Sequence, residues 1–267
     1  MLIRAISGII GIGLWLALCF AGHLPFALGV AILAALGIGE FVAAYRRALA
    51  LEATASNASA EGAARARLNP ALAWGGVAFP FLAYRLSAQG SGFQAVYGLL
   101  LAAMVGLFAA LLLRAARSGK ALGGLSDLYG LIGAGYIGAL FSSFVLLRGL
   151  PGAERIVVRP FGGAERGAWL MLFVAACVWA TDTFAFLVGR SVGRHKLAPR
   201  LSPGKTLEGA LGGVVGALLT GAAFGLWIHL PLAHSLAVGA IAGVIGPIGD
   251  LFESALKREI GVKDFGR

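Results

Sequence analysis

The sequence predicts an all-α membrane protein in which about eight transmembrane helices surround a polar cavity facing the cytoplasm. Of its 267 residues, 59% are hydrophobic and only 13% are charged, whereas an average soluble domain has roughly 25% charged residues. The mean hydropathy is +0.87, and the apolar residues form long uncharged runs rather than short amphipathic segments. These observations exclude a water-soluble globular domain.

Eight uncharged runs are candidates for membrane spans, because a hydrocarbon core of roughly 30 Å needs about 20 apolar residues per helix. Residues 22–25, Gly-His-Leu-Pro, supply a turn that divides the first long run into two helices. We expect spans at residues 5–21, 25–44, 72–84, 93–113, 125–147, 167–188, 209–228 and 235–251.

Two regions follow from this division of the chain. Residues 1–120 are expected to form N-terminal transmembrane hairpins with a cytoplasmic loop at 45–71, a segment of low complexity rich in Ala, Ser, Asn and Glu. Residues 121–267 are expected to form the catalytic region, because the charged motifs described below lie there.

The distribution of positive charge predicts the orientation of the chain. Alternating the eight spans from a cytoplasmic N-terminus places 17 of the 22 Lys and Arg residues on the inner side, as the positive-inside rule requires. We therefore expect a multi-pass membrane protein with both termini of this chain in the cytoplasm. The net charge of +10 then reflects loops that face anionic lipid, and no nucleic-acid partner is expected.

Acidic residues within the spans are the first place to look for chemistry, because an aspartate at mid-bilayer costs roughly 2.5 to 3.5 kcal/mol. Glu40 and Asp127 lie close to basic residues at helix ends, so pairing at the membrane interface explains them. Asp182 has no cation within one helical turn on either side. Only a partner from another segment or a bound cation can compensate its charge.

A basic segment, residues 189–209, follows Asp182 and offers cations, hydroxyl groups and a predicted helix N-terminus after Ser202. Such groups bind polyphosphates. Residues 204–206, Gly-Lys-Thr, resemble the end of a phosphate-binding P-loop, but Pro199 occupies the position of its first glycine. The alternative is a basic loop that only sets the topology.

A third cluster lies near the C-terminal end of the chain, where a helix after Pro247 would place four polar residues on one face. These residues are Asp250, Glu253, Ser254 and Lys257. Two acids, a hydroxyl and a lysine at the membrane boundary could form a site for a metal-bound anion. Alternatively, Asp250 pairs with Ser254, and Glu253 pairs with Lys257.

These motifs together resemble those of the phosphatidate cytidylyltransferases, also called CDP-diacylglycerol synthases. The C-terminal signature is carried by residues 254–258, Ser-Ala-Leu-Lys-Arg, followed after four residues by Lys-Asp-Phe-Gly at 263–266. The Asp182 segment, residues 202–209 and residues 246–250 resemble the other motifs of that family in the same order. The resemblance is specific over residues 179–266 and loose elsewhere.

The resemblance implies that CTP and phosphatidate are converted to CDP-diacylglycerol and pyrophosphate with Mg²⁺, with room for a second cation. The phosphate of the lipid is already anionic near pH 7, so the main difficulty is to bring two anions together. The expected metal-supporting acids are Asp182 and Asp250. The residues expected to neutralise phosphates are Lys205, Lys257, Arg258 and Lys263, and those expected to contact substrate are Ser202, Thr206, Glu208, Ser254 and Asp264, with Glu253 as a further candidate.

The resemblance implies membrane lipids as further partners and allows a homodimer. The family pattern also continues beyond the position of Arg267 with a His-Gly-Gly stretch and an Asp-Arg-x-Asp cluster, so we expect a longer protein whose downstream segment completes the site. One competing hypothesis is a small ion-coupled transporter that uses Asp182 and Asp250 as its cation site. A CDP-alcohol phosphotransferase is disfavoured, since its Asp-Gly-x-x-Ala-Arg motif is absent from the sequence.

Overall fold

The structure of the protein, a computed structural model, describes residues 2–55, 75–87, 98, 102, 126–150, 155–158, 162–199 and 201–259. It is predominantly helical. In chain order the helices are α1 (Leu2–Phe20), α2 (His23–Ala55), α3 (Ala78–Ser87), α4 (Ser126–Arg148), α5 (Arg166–Val192), α6 (Leu207–Trp227) and α7 (Leu232–Glu259), and a short 3₁₀ turn at Gly75–Val77 precedes α3.

Four helices within the described ranges are long and apolar enough to cross a membrane. They contain the segments His23–Ala44, Arg166–Val192, Leu207–Trp227 and Leu232–Ala255. Their outward faces carry large apolar side chains, such as Leu211, Val215 and Leu219 at four-residue intervals on α6, each more than half exposed. An apolar face of this extent is typical of contact with lipid rather than water.

The expected number of about eight spans is reached only in part by the residues that the structure describes. Helix α3 has ten residues and is about 15 Å long, too short to cross the hydrocarbon core by itself. The expected span at 93–113 and the expected division of the chain at residue 120 lie outside the described residues, apart from positions 98 and 102. Helix α2 continues to Ala55, so residues 45–55 of the predicted loop are helical.

The prediction of an all-α fold was wrong in one respect, because two short antiparallel hairpins join the helices. Strand β1 (Arg155–Val158) pairs with β2 (Gly162–Glu165), with Arg155 opposite Glu165. Strand β3 (Lys196–Ala198) pairs with β4 (Ser202–Thr206), with Lys196 opposite Thr206. The helix predicted to begin after Ser202 begins at Leu207 instead, since residues 202–206 form β4.

The chain divides into two compact units, residues 1–151 with 257–267, and residues 152–256. In the first unit α2 packs against α3 and α4. Two polar side chains fasten the helix ends: the buried Arg148 donates from Nε to the carbonyl oxygen of Cys19 at 2.9 Å, and His23 Nε2 donates to the carbonyl oxygen of Val145 at 3.2 Å. The bond from Arg148 satisfies a carbonyl group in the last turn of α1, whereas the carbonyl oxygen of Val145 also accepts a hydrogen bond from the backbone N–H of Gly149 at 3.0 Å.

The second unit contains α5, α6, the first 25 residues of α7 and both hairpins. Helix α6 packs against α7 through small residues: a methyl group added to Gly239 would lie 2.6 Å from the carbonyl oxygen of Ala217. Small residues therefore allow the close helix approach common in membranes. A core of Val158, Trp169, Phe173, Cys177 and Ile228 holds β1 against one end of α5 and α6.

Candidate functional site

A cavity of about 340 Å³ lies within the second unit, between α5, the β3–β4 hairpin, α6 and α7. Four charged side chains line it: Asp182, Arg190, Lys205 and Asp250. The remaining wall is formed largely by apolar residues and glycines, including Phe186, Leu197, Ala210 and Pro247. The cavity thus combines a few charged groups with a largely apolar lining, which is the usual composition of a small-molecule site.

The closest ionic contact in the cavity joins β4 to α7. Lys205 Nζ donates to Asp250 Oδ2 at 2.6 Å. The two residues are 45 positions apart in the sequence, so the contact depends on the folding of the unit rather than on local helix geometry. Sequence reasoning assigned both residues to the site but did not predict that they would pair with each other.

Asp182 lies on the same cavity wall, one residue after the buried Thr181 of α5. The Thr181 hydroxyl donates to the carbonyl oxygen of Cys177 at 2.9 Å, so it needs no other partner. The carboxylate of Asp182 is close enough to Asp250 and Lys205 to interact electrostatically with both. The opposite charge that Asp182 lacks within one turn of its own helix is therefore supplied by Lys205 of β4, whereas Asp250 of α7 carries the same charge as Asp182.

Thr206 ends β4 and caps α6, which fixes where the hairpin meets the helix. Its Oγ1 accepts a hydrogen bond from the backbone N–H of Gly209 at 3.1 Å. A methyl group on Gly209 would lie 2.7 Å from the carbonyl oxygen of Ala185, and one on Gly189 would lie 2.9 Å from Thr206 Oγ1. Glycine at both positions therefore allows α5, Thr206 and α6 to meet without intervening side chains.

Glu208 stabilises the turn that leads from α5 into β3. Its carboxylate accepts hydrogen bonds from the backbone N–H groups of Arg194 and His195 at 3.1 to 3.2 Å. It also lies 2.6 Å from His195 Nδ1. A carboxylate in the first turn of a helix is favoured by the helix dipole, and here the same group holds the start of the hairpin.

The structure brings together four of the residues that the sequence analysis assigned to the site, namely Asp182, Lys205, Thr206 and Asp250. Ser202 lies at the start of β4, Glu208 contacts the hairpin turn, and neither lines the cavity. The remaining assigned residues fall into two groups. Glu253, Ser254, Lys257 and Arg258 lie on the last turns of α7, while Lys263 and Asp264 are outside the described residues.

Sequence reasoning missed several residues that line the cavity. Arg190 was counted among the cations of the basic segment 189–209 but received no individual role, and Phe186 received no role. Both follow Asp182 at four-residue intervals on α5, so helical periodicity could have placed them on one face with it. The sequence analysis did not predict that Gly189 and Gly209 allow α5 and Thr206 to approach closely, because this approach depends on the tertiary fold.

The cavity contains carboxylate oxygens, which are the kind of ligand that binds a divalent cation such as Mg²⁺. Mg²⁺ is commonly held by one or two carboxylates, with substrate oxygens and water completing its coordination. Asp182 and Asp250 supply two carboxylates to the lining of the cavity. Among the residues that the structure describes, no group of three or more His, Cys, Asp or Glu side chains could hold a metal ion. A metal at these two acids would therefore depend on substrate for further ligands.

The fold and the cavity together define a helical membrane protein with a charged pocket suited to phosphate groups. The chain belongs to the cytidylyltransferase family, whose family model matches residues 2–267. This membership supports a nucleotidyltransferase and gives no support to the ion-coupled transporter.

Individual relatives match over part of the chain. The chain is 38% identical over 133 residues to a phosphatidate cytidylyltransferase of Bacillus subtilis, which covers 49% of the chain and 45% of the relative. It is 37% identical over 133 residues to the uncharacterized Escherichia coli protein YnbB, with the same coverage. A Staphylococcus epidermidis phosphatidate cytidylyltransferase is 41% identical over 105 residues, 39% of the chain and 40% of that protein. The matches thus span less than half of each relative's length.

Proposed function

We propose that the protein is a phosphatidate cytidylyltransferase, which transfers the cytidylyl group of CTP to phosphatidate and releases pyrophosphate. The observation that carries the proposal is the cavity in which Asp182 and the Lys205–Asp250 pair lie together on α5, β4 and α7. Membership of the cytidylyltransferase family supports this reaction class. The names of two relatives, phosphatidate cytidylyltransferases of Bacillus subtilis and Staphylococcus epidermidis, support the lipid substrate.

In the proposed reaction an oxygen of the lipid phosphate attacks the α-phosphorus of CTP. A new oxygen–phosphorus bond forms, the bond between the α-phosphorus and the oxygen bridging to the β-phosphate breaks, and pyrophosphate leaves with that oxygen. The attacking oxygen is already deprotonated near pH 7, so no dedicated general base is needed. The protein's task is to orient two anions and to offset their repulsion.

The residues of the cavity divide this task between them. Asp182 and Asp250 would hold Mg²⁺, which when bound supplies positive charge to the phosphates. Lys205 would provide an ammonium group beside the same phosphates while Asp250 holds its side chain in place. The apolar wall, which includes Phe186 and Pro247, offers a surface for the lipid part of the substrate and for excluding water.

We further propose that the cavity opens at the cytoplasmic face of a bacterial inner membrane, with the N-terminus of the chain inside. CTP would then arrive from the cytoplasm and phosphatidate from the inner leaflet. The predicted inward bias of 17 of 22 cations supports this orientation. For the whole protein we also propose about eight membrane spans, contacts with surrounding lipids, a second bound cation and a homodimer. In this proposal Lys257, Arg258 and Lys263 neutralise phosphates, and Asp264 contacts substrate.

The proposal is tested by substrate requirements of the purified full-length protein in mixed micelles. Radiolabelled CTP should enter a lipid product only when phosphatidate and Mg²⁺ are present, with one pyrophosphate released per label incorporated. ATP in place of CTP and diacylglycerol in place of phosphatidate are the controls. Incorporation into diacylglycerol, or none with phosphatidate, would contradict the proposed reaction.

A further inference from the structure

Arg190 lies where it can contact a molecule bound in the cavity. The sequence analysis included it in the basic segment 189–209 but gave it no individual role. It lies in the last turn of α5 and lines the cavity with Asp182 and Lys205. Asp182, Phe186 and Arg190 follow one another at four-residue intervals and all three line the cavity. They therefore form one stripe along α5 that runs from a carboxylate across an aromatic ring to a guanidinium.

The two cations of the cavity differ in their partners. The ammonium of Lys205 is already engaged by Asp250 at 2.6 Å. The guanidinium of Arg190 instead lies 5.9 Å from the centre of the Phe186 ring. No hydrogen bond or ion pair of this guanidinium is formed with the residues that the structure describes. A contact with the ring leaves the N–H groups at the edge of the guanidinium plane available to an anion.

We propose that Arg190 binds a phosphate group of the substrate, held in position by the ring of Phe186. The proposal rests on the function proposed above. A guanidinium donates two parallel hydrogen bonds to a phosphate, whereas a lysine offers a single point charge. The phosphate could belong to CTP or to phosphatidate, and the experiment below distinguishes these two sources.

A simpler role for Arg190 makes a different prediction. A cation in the last turn of a helix interacts favourably with the helix dipole, and it also favours a cytoplasmic position for that end of the span. Both effects depend on the charge of the side chain and not on its shape. Arg190→Lys preserves that charge and removes only the fork of donors. A loss of phosphate binding in this variant therefore separates recognition from topology.

The test measures binding directly and does not depend on turnover. Radiolabelled CTP is used in equilibrium dialysis, and dioctanoyl phosphatidate in detergent is used in titration calorimetry, both with the full-length protein and Mg²⁺. Arg190→Lys should raise the Kd for one of the two probes about 10-fold or more. The probe affected identifies the phosphate that Arg190 holds. Arg194→Lys is the matched control, because Arg194 does not line the cavity, and its Kd values should stay within about two-fold.

A second variant covers the case in which Arg190→Lys does not fold, as judged by thermal unfolding in detergent. Phe186→Leu keeps every charge and removes the ring beneath the guanidinium, so the same Kd should rise about two- to five-fold. Wild-type Kd values in both variants would overturn the inference, as would equal weakening in Arg194→Lys or no binding of either probe to the wild type. Turnover by the wild type tests the proposed function separately.

Discussion

The contact between Lys205 and Asp250 is expected to matter more for the proposed function than for stability. The two side chains are partly exposed, at 29% and 53%, and ion pairs of this kind contribute about 0 to 1 kcal/mol to folding. Their separation of 45 residues means that one pair fixes β4 relative to α7 at the cavity. We therefore expect its main effect to be the placement of the Lys205 ammonium group in the cavity.

We predict that Lys205→Met lowers kcat/KM for CTP-dependent lipid labelling by at least about 10-fold, since a charged hydrogen-bond donor is lost at the phosphates. The midpoint of thermal unfolding in detergent should fall by no more than a few degrees. Lys196→Met is the control, because Lys196 lies in the same hairpin but does not line the cavity. Equal loss in both variants would show that only the overall charge of the hairpin matters.

At the scale of elements, the β3–β4 hairpin is the feature that organises the cavity. Thr206 caps α6, Glu208 holds the turn at Arg194 and His195, and glycines allow the hairpin to lie against α5. These contacts explain why a short segment between two spans has a fixed conformation. The sequence pattern of Ser-Pro-Gly-Lys-Thr-Leu-Glu-Gly thus encodes structure as well as chemistry.

We predict that Gly209→Ala destabilises the protein by about 1 to 3 kcal/mol, the usual cost of overpacking. The added methyl group would lie 2.7 Å from the carbonyl oxygen of Ala185, so α5 and α6 would have to separate. Gly249→Ala is the matched control, since its methyl group would meet no atom within 4 Å. Denaturant unfolding of both variants in detergent provides the measurement. A Gly209→Ala variant as stable as the control would mean that the two helices do not pack this closely.

The helices could be predicted from hydropathy, but the hairpins could not. Uncharged runs of the right length placed α5 and α6 within four residues of their observed bounds and the start of α7 within three, while α7 continues eight residues beyond the predicted end of its span. Residues 202–206 contain Pro and Gly, which are depleted in strands, so local propensity indicated a loop or a helix start. Their strand conformation depends on pairing with β3, which is a tertiary contact.

The candidate site was predicted in composition but not in geometry. An unpaired aspartate in an apolar run identifies Asp182 without any structure. Its proximity to Lys205 and Asp250 requires three segments to meet, and no spacing in the sequence specifies that meeting. Arg190 received no individual role because it is one of several cations in residues 189–209. Its position in the sequence alone does not show that it lines the cavity.

For the whole molecule, the proposed orientation places the C-terminal end of α5 and the N-terminal end of α7 on opposite sides of the membrane. We predict that Ser191→Cys reacts with a membrane-impermeant thiol reagent only from the cytoplasmic side, whereas His234→Cys reacts only from outside. Both native cysteines are fully buried, so they should give little background in intact cells. Labelling of Ser191→Cys from outside would show that the orientation is the opposite of the proposed one. The cavity would then face away from the cytoplasm, where CTP is expected.

We propose that the Asp182 carboxylate supports cytidylyl transfer in the cavity. Removing the charge of this side chain is the direct test of that role. Incorporation of radiolabelled CTP into phosphatidate is measured over a Mg²⁺ titration for purified, correctly inserted Asp182→Asn, which keeps the shape of the side chain. We expect Asp182→Asn to lose turnover by at least about 100-fold. Glu40→Gln, which removes the charge of an acid of α2 in the other unit, should leave turnover unchanged. Near-normal turnover of Asp182→Asn, or an equal loss in Glu40→Gln, would contradict the proposed role.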